Sequence, residues 1–357
     1  MRIAFITVHV GTNVGSNLQA IATSVVLKKA GHDPVLINYI PDRVTYSRYW
    51  KNARKSVKAF AFGLLDFMRF HYLKKKFAKY QKSYCQLTEP IYYNDDFSKK
   101  IPDADLYLTG SDQVWNFKHN EGYDGHYFFD GIKGNKASYA SSIGMESLSE
   151  EQSLLLKKAL SEYKIISVRE NKAVSILEDL NIHSTQLIDP TLMLNRDEWS
   201  KYMSKRMVKD PYILVYIPYN IADIEQIYKT VRKVANLKKL KIITFSWAYR
   251  PIKYADKTIF YASPGDFLSL MYYADYVVTN SFHGTAFSIN LNKNFWVYAP
   301  SKFSSRVSSI IQLLELESRM IDGEITENAI EESIDYEMVN RKLDFERERA
   351  LSFLKSL

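Results

Sequence analysis

The stretch V-V-T-N-S-F-H-G-T, Val277 to Thr285, places a serine, a histidine, a glycine and a threonine side by side with one phenylalanine. It reads as the end of a buried strand (Tyr276, Val277, Val278), then a tight polar loop, then a helix opening at Gly284 and Thr285. A loop of this kind lies at the carboxyl end of its strand, where open α/β sheets take ligands. The helix start adds unpaired N–H groups and positive potential, which suit phosphate or carboxylate. His283 can donate to such an anion or move a proton near neutral pH. The plain alternative is a histidine that caps a structural turn.

Positioning such a loop takes a parallel sheet, and the chain supplies the pattern for one. Ile3–Val8 reads as a strand, Gly11–Ser16 as a loop, Asn17–Ala30 as a helix stopped by Gly31, and Val35–Tyr39 as a second strand. The loop is not a G-x-G-x-x-G fingerprint. Its interleaved Asn13 and Asn17 favour hydrogen bonds to hydroxyls or a carboxylate. Further strands end in polar residues: Leu106–Thr109 before Ser111 and Asp112, Ala137–Ala140 before Ser141, Ile165–Val168 before Arg169, and Gln186–Ile188 before Asp189. Repeated polar strand ends predict a site along one sheet edge. After a boundary expected near 195–210, the alternation starts again: strand Tyr212–Ile217, helix 221–236, strands Lys241–Phe245 and Thr258–Tyr261, helix Pro264–Tyr273 and the Val277 strand. A final helix is expected over 334–357. The domains are therefore expected at 1–200 and 205–357.

Residues 43–84 break this pattern. They hold twelve Lys and Arg against one acid, Asp66, with aromatic and aliphatic residues mostly three or four apart. That predicts one or two basic amphipathic helices inserted in the first domain. Either their apolar face packs on the domain, or the segment docks on an anionic membrane or a lipid-linked pyrophosphate.

With 357 residues, two domains are the default. A net charge of +8 points to anionic partners. The single cysteine, Cys85, leaves no internal disulfide and fits a reducing compartment. Ile3–Val8 is too short for a secretory leader, and no window reaches the length of a membrane span. The basic residues match no nucleic-acid reader motif, so no nucleic-acid partner is expected. No ligand-spaced His, Cys or Asp cluster predicts a metal.

The segment V-x-T-x-S-x-H-G-T-x-x-S resembles the C-terminal signature of the polysaccharide pyruvyl transferase family. G-T-N-V-G-S-N-L-Q-A (11–20), L-T-G-S-D-Q-V-W-N (108–116), S-Y-A-S-S-I-G (138–144) and S-V-R-E (167–170) agree in the same order. The resemblance implies two Rossmann-like domains facing a cleft, the glycosyltransferase-B arrangement. It implies transfer of pyruvate from phosphoenolpyruvate, a co-substrate with no further cofactor, to two hydroxyls of a sugar. The acceptor is expected to be lipid-linked, on undecaprenyl pyrophosphate, at the cytoplasmic face of the membrane. His283 then touches the donor, with Ser281, Gly284 and Thr285 around it. Some relatives carry Arg where this chain has Ser281, and Arg306 and Arg250 are the nearest substitute cations; Arg169, the arginine of S-V-R-E, is a further candidate donor ligand, against the alternative of an ion pair with Glu170 or Asp189. Asp112 is the candidate acceptor base or hydroxyl ligand, against the alternative of a helix cap. Asn13, Asn17 and Gln113 are candidate sugar ligands. Trp115 either stacks on the sugar or packs in the core. A nucleotide-sugar glycosyltransferase on the same architecture is the alternative.

Overall fold

The structure, a computed structural model, describes residues 1–44, 57–219, 221, 224–246, 251–298 and 304–357. The chain forms two compact units. One comprises Met1–Pro190 with Arg349–Leu357, and the other Thr191–Glu348.

Each unit carries a five-stranded parallel sheet. In the first, β1 (Arg2–Ile6), β2 (Asp33–Leu36), β3 (Leu106–Thr109), β4 (Lys136–Ser138) and β5 (Tyr163–Ile165) take the order β2-β1-β3-β4-β5. In the second, β6 (Tyr212–Tyr216), β7 (Lys241–Ser246), β8 (Lys257–Phe260), β9 (Tyr276–Thr279) and β10 (Asn294–Val297) take the order β8-β7-β6-β9-β10. The central strands are near-continuous apolar runs, as strands covered on both faces must be. Ile3 to Ile6 and Tyr212 to Tyr216 are all buried.

Strand order locates the switch points of the two sheets. In the first, the connection from β1 goes one way to β2 and the chain then returns to β3 on the other side, so the switch lies between β1 and β3. In the second it lies between β6 and β9. The loops that follow these strands carry the candidate residues.

Helix signals in the sequence explain the helix starts. Asn13 caps α1 (Val14–Lys29), its Oδ1 accepting from the N–H groups of Gly15 and Ser16. Helix α1 therefore begins three residues before the expected Asn17. Helix α2 (Val57–Lys82) makes up most of the described part of the basic insertion, of which residues 45–56 lie outside the described residues. Ser149 with Gln152 forms a capping box on α3 (Glu150–Leu160). Helix α4 (Asn171–Asp179) follows. In α5 (Ile224–Lys238), buried Ile227, Tyr228, Val231, Val234 and Ala235 make one apolar face. Helix α6 (Pro264–Tyr273) has Pro264 in its first turn and a Ser263–Asp266 capping box.

The boundary falls at Pro190, ahead of the expected 195–210. Within that stretch, helix covers Arg196–Ser200.

Candidate active site

In the second unit, β9 delivers the chain to Asn280 and Ser281, and α7 (Phe282–Asn290) starts at once. The helix opens two residues before the expected Gly284. His283 therefore stands in its first turn, 5% exposed, while Ser281 is the N-cap. The Ser281 hydroxyl accepts from the Gly284 N–H at 3.4 Å, and its carbonyl accepts from the N–H and hydroxyl of Thr285 at 2.9 and 3.0 Å. Thr285 is thus spent on the helix backbone.

Gly284 is dictated by packing. A Cβ there would lie 2.2 Å from Thr279 Oγ1, an atom that donates to the Tyr216 carbonyl at 2.7 Å. Only glycine lets the helix start this close to the strand end. Asn280 ties the neighbouring strand to the same place: its Nδ2 donates to the Tyr219 carbonyl at 2.8 Å. The ends of β6 and β9 are stitched together at the switch point, with His283 on the helix that leaves it.

Helix α8 (Ser304–Leu313) packs on α7, and its first turn carries Arg306, 3% exposed. Arg250, the other substitute cation, lies outside the described residues.

In the first unit the strand ends meet in a buried polar cluster. Asp112 and Ser141 pair as an isolated bridge beyond β3 and β4, and Ser141 pairs with Val168. Arg169, one residue further, is thereby brought next to Asp112. Its guanidinium is completely buried and lies 3.2 Å from Asp112 Oδ1, 2.7 Å from Asp189 Oδ2 and 3.7 Å from Glu170 Oε2. Burial opposes its charge, but Asp189, Asp112 and Glu170 together outweigh it and hold the guanidinium firmly protonated. Asp112 also accepts from the Ser16 hydroxyl at 2.5 Å and from the Gln113 N–H at 2.9 Å. Ser111 donates to Asp189 at 2.8 Å. Glu170 Oε1 accepts from the Ser142 hydroxyl and from the N–H groups of Ile143 and Gly144.

Two residues for which the sequence leaves alternatives open, Arg169 and Trp115, have their contacts here. Arg169, a candidate donor ligand with an ion pair to Glu170 or Asp189 as the alternative, pairs with Asp112, Glu170 and Asp189 of the first unit. Trp115, offered as a sugar platform, is 1% exposed and packs against Phe128 and Tyr163 in the apolar core. Asp112 is not a helix cap. It sits at φ +70°, a left-handed backbone uncommon outside glycine and concentrated at functional sites.

Asn13 is exposed with its Oδ1 used as the cap. Asn17 is 1% exposed and its Oδ1 has no hydrogen-bond partner. Gln113 Oε1 accepts from Asn116 at 2.7 Å. Asn13, Ser16 and Asn17 sit on the α1 start that follows β1, and the Ser16–Asp112 hydrogen bond carries that start to the loop after β3, across the first switch point. Glu170 and Asp189 are the ion-pair partners that the sequence offers Arg169 as the alternative to a donor role, whereas Ser16 and Ser111 carry no such expectation. The available signal for the two serines is the set of four polar strand ends, which gives the edge but not their partners.

These loops coincide with a family profile. The description polysaccharide pyruvyl transferase matches residues 13–302, most of the chain. The chain belongs to the polysaccharide pyruvyl transferase family. No curated protein matches it significantly by sequence. Among solved structures it is similar to a putative UDP-N-acetylglucosamine 2-epimerase from Listeria monocytogenes, at 10% identity and TM-score 0.54, covering 98% of this chain and 90% of that one. The UDP-GlcNAc 2-epimerase of Methanocaldococcus jannaschii is similar at 12% identity and TM-score 0.52, covering 96% and 92%. An alpha-glucosyltransferase in complex with UDP is similar at 12% identity and TM-score 0.50, covering 99% and 95%. At these identities the likeness is one of fold, and this pyruvyl transferase family member has the glycosyltransferase-B-like α/β fold with two Rossmann-like units. Among the described residues, no group of three or more His, Cys, Asp or Glu is placed to hold a metal. No described helix is long and apolar enough to cross a membrane.

Proposed function

We propose that this protein transfers the pyruvyl group of phosphoenolpyruvate to two hydroxyls of one sugar, forming a cyclic ketal in cell-surface polysaccharide biosynthesis. The observation that carries the reading is His283 in the first turn of α7, at the switch point of the second sheet, in a chain whose family match spans 13–302. Phosphoenolpyruvate is the co-substrate and no further cofactor takes part. The acceptor is a lipid-linked sugar, carried on undecaprenyl pyrophosphate at the cytoplasmic face of the membrane.

The donor carries a phosphate and a carboxylate, which call for convergent N–H or cationic contacts. The α7 start, His283 and Arg306 supply them. Protonation of the enol C3 makes it a methyl group and leaves positive charge on C2. A sugar hydroxyl adds to C2 and gives its proton to a base. The C2–O bond to phosphate then breaks, inorganic phosphate leaves, and the second hydroxyl closes the ring and loses its proton. His283 is the donor-side ligand or proton donor. Asp112, held by Ser16 and Arg169, serves the acceptor together with Asn13 and Asn17.

A second reading, nucleotide-sugar glycosyl transfer, draws on the UDP complex that shares the fold. Thermal stability separates the two, because a ligand that binds only the folded protein raises its melting temperature. Phosphoenolpyruvate should stabilise the protein, and His283→Ala should lower ketal formation by ~10²–10⁴-fold. Stabilisation by UDP and none by phosphoenolpyruvate would transfer the assignment to the second reading. Near-normal turnover by His283→Ala would remove that histidine from the mechanism.

A further inference from the structure

We propose that the outward face of α2 docks on an anionic lipid bilayer. At about 100° per residue, Leu64, Met68, Tyr72, Lys75, Lys79 and Lys82 fall on one stripe of this helix. Leu64 is 40% exposed, Met68 60% and Tyr72 58%, and the three lysines are exposed as well. The opposite face is the one that packs: Leu73 and Phe77 are buried. Lys74 turns inward with them, its ammonium 3.5 Å from the Val44 carbonyl.

The helix therefore has two apolar faces, one used by its own unit and one turned outward. The outward stripe is divided along its length. Its first part, about 12 Å long, is apolar, and its second, about 10 Å, is cationic. Exposed apolar side chains grouped in this way mark a binding surface. Apolar side chains followed by lysines on the same line suit an anionic bilayer, with the first part entering the acyl boundary and the second resting on phosphates. The charge complements that surface throughout, since Asp66 is the only acid between residues 43 and 84. The inference needs neither phosphoenolpyruvate nor turnover, so it stands or falls apart from the proposed reaction.

The test is co-sedimentation of the full chain with vesicles of phosphatidylcholine alone or with phosphatidylglycerol. Binding is expected only with phosphatidylglycerol, and it should weaken as salt rises. Lys75→Gln with Lys79→Gln should weaken it about 25-fold, at about five-fold per basic residue. Met68→Ser with Tyr72→Ser should weaken it at unchanged charge, while Leu154→Ser, an exposed leucine on α3, should not. All these positions are exposed and α-helical circular dichroism should be unchanged. The proposal is overturned if the wild-type protein ignores anionic vesicles at low salt, or if Met68→Ser with Tyr72→Ser binds as well as wild type. It is also overturned if the stripe proves to be a self-interface, seen as a dimer that the serine pair converts to monomer without any vesicle binding.

Discussion

At the scale of single residues, the telling contrast is between His283 and Arg169. Both follow buried strands and both looked like anion ligands. The histidine emerges on a helix start beside a glycine that packing requires. The arginine is swallowed by three carboxylates that the sheet edge brings to it from distant parts of the chain. That cluster explains how Asp112 is held in a left-handed backbone, since strain persists only where surroundings over-determine it. Arg169→Lys tests the positioning role. A lysine cannot span Asp112 and Asp189 as the fork does, so stability should fall by about 1.5–3 kcal/mol for each charged hydrogen bond lost. Calorimetry should find the affinity for phosphoenolpyruvate unchanged, while the KM for the acceptor rises. A loss of donor affinity in the lysine variant would return Arg169 to the donor. The sequence could place these residues at strand ends because burial of a strand shows in its apolar run. It offers Glu170 or Asp189 as a partner for Arg169 but not Asp112, because Asp112 and Arg169 meet through bridges beyond the strands that leave no local pattern.

Elements were the most legible scale. Leu106–Thr109 and Pro264–Tyr273 are found as expected, the first from an apolar run bounded by a glycine, the second from its Ser-Pro start. Misplaced boundaries trace to caps. Asn13, a candidate ligand, also caps α1, and Ser281 caps α7, which opens at Phe282 ahead of the expected Gly284. The turn from α7 to β10 holds a further feature with a pH consequence. Lys293 is 9% exposed and donates to the carbonyls of Tyr272 and Ala274, while its own carbonyl accepts from the Tyr336 hydroxyl. Burial, and next the guanidinium of Arg196, pull its ammonium down to about 8. Because the folded value lies below the unfolded one, the unfolded state holds more protons between about pH 8 and 10.5. Stability contributed by this residue must therefore rise with pH across that window and be lowest below it. The expected rise is up to about 3 kcal/mol. Hydrogen exchange in β9 and β10, followed from pH 7.5 to 10, should show it in wild type, and Lys293→Met should flatten it. Equal pH dependence in the two proteins would mean that this ammonium titrates normally.

The whole molecule departs most from what the sequence pattern implied in its last helix. Residues 205–357 read as one domain because a single amphipathic pattern runs to the end of the chain. The structure keeps the helix, α9 (Tyr336–Lys355), but assigns Arg349–Leu357 to the first unit. One apolar stripe serves both: Val339 and Leu343 are fully buried in the second unit, Ala350 and Leu354 in the first. A stripe shows that a face is covered, not which core covers it, so sequence periodicity cannot locate this change. In the first unit the end of α9 is fixed by His32, whose Nε2 lies 2.7 Å from the Leu354 carbonyl, and by the ring of Tyr139 against Phe353. His32 directly precedes β2, so the last residues of the chain brace the edge of the first sheet. Leu354→Ala should remove that brace at the usual cost of a buried leucine, about 2–5 kcal/mol. For a unit of this size that corresponds to a melting shift of about 4–20 °C. The loss should be local. Hydrogen exchange should quicken in α1 and β2, far from Leu354 in sequence, while β6, β7 and β9 keep their protection. Faster exchange confined to residues 191–348 would place the end of α9 in the second unit and refute the division drawn here.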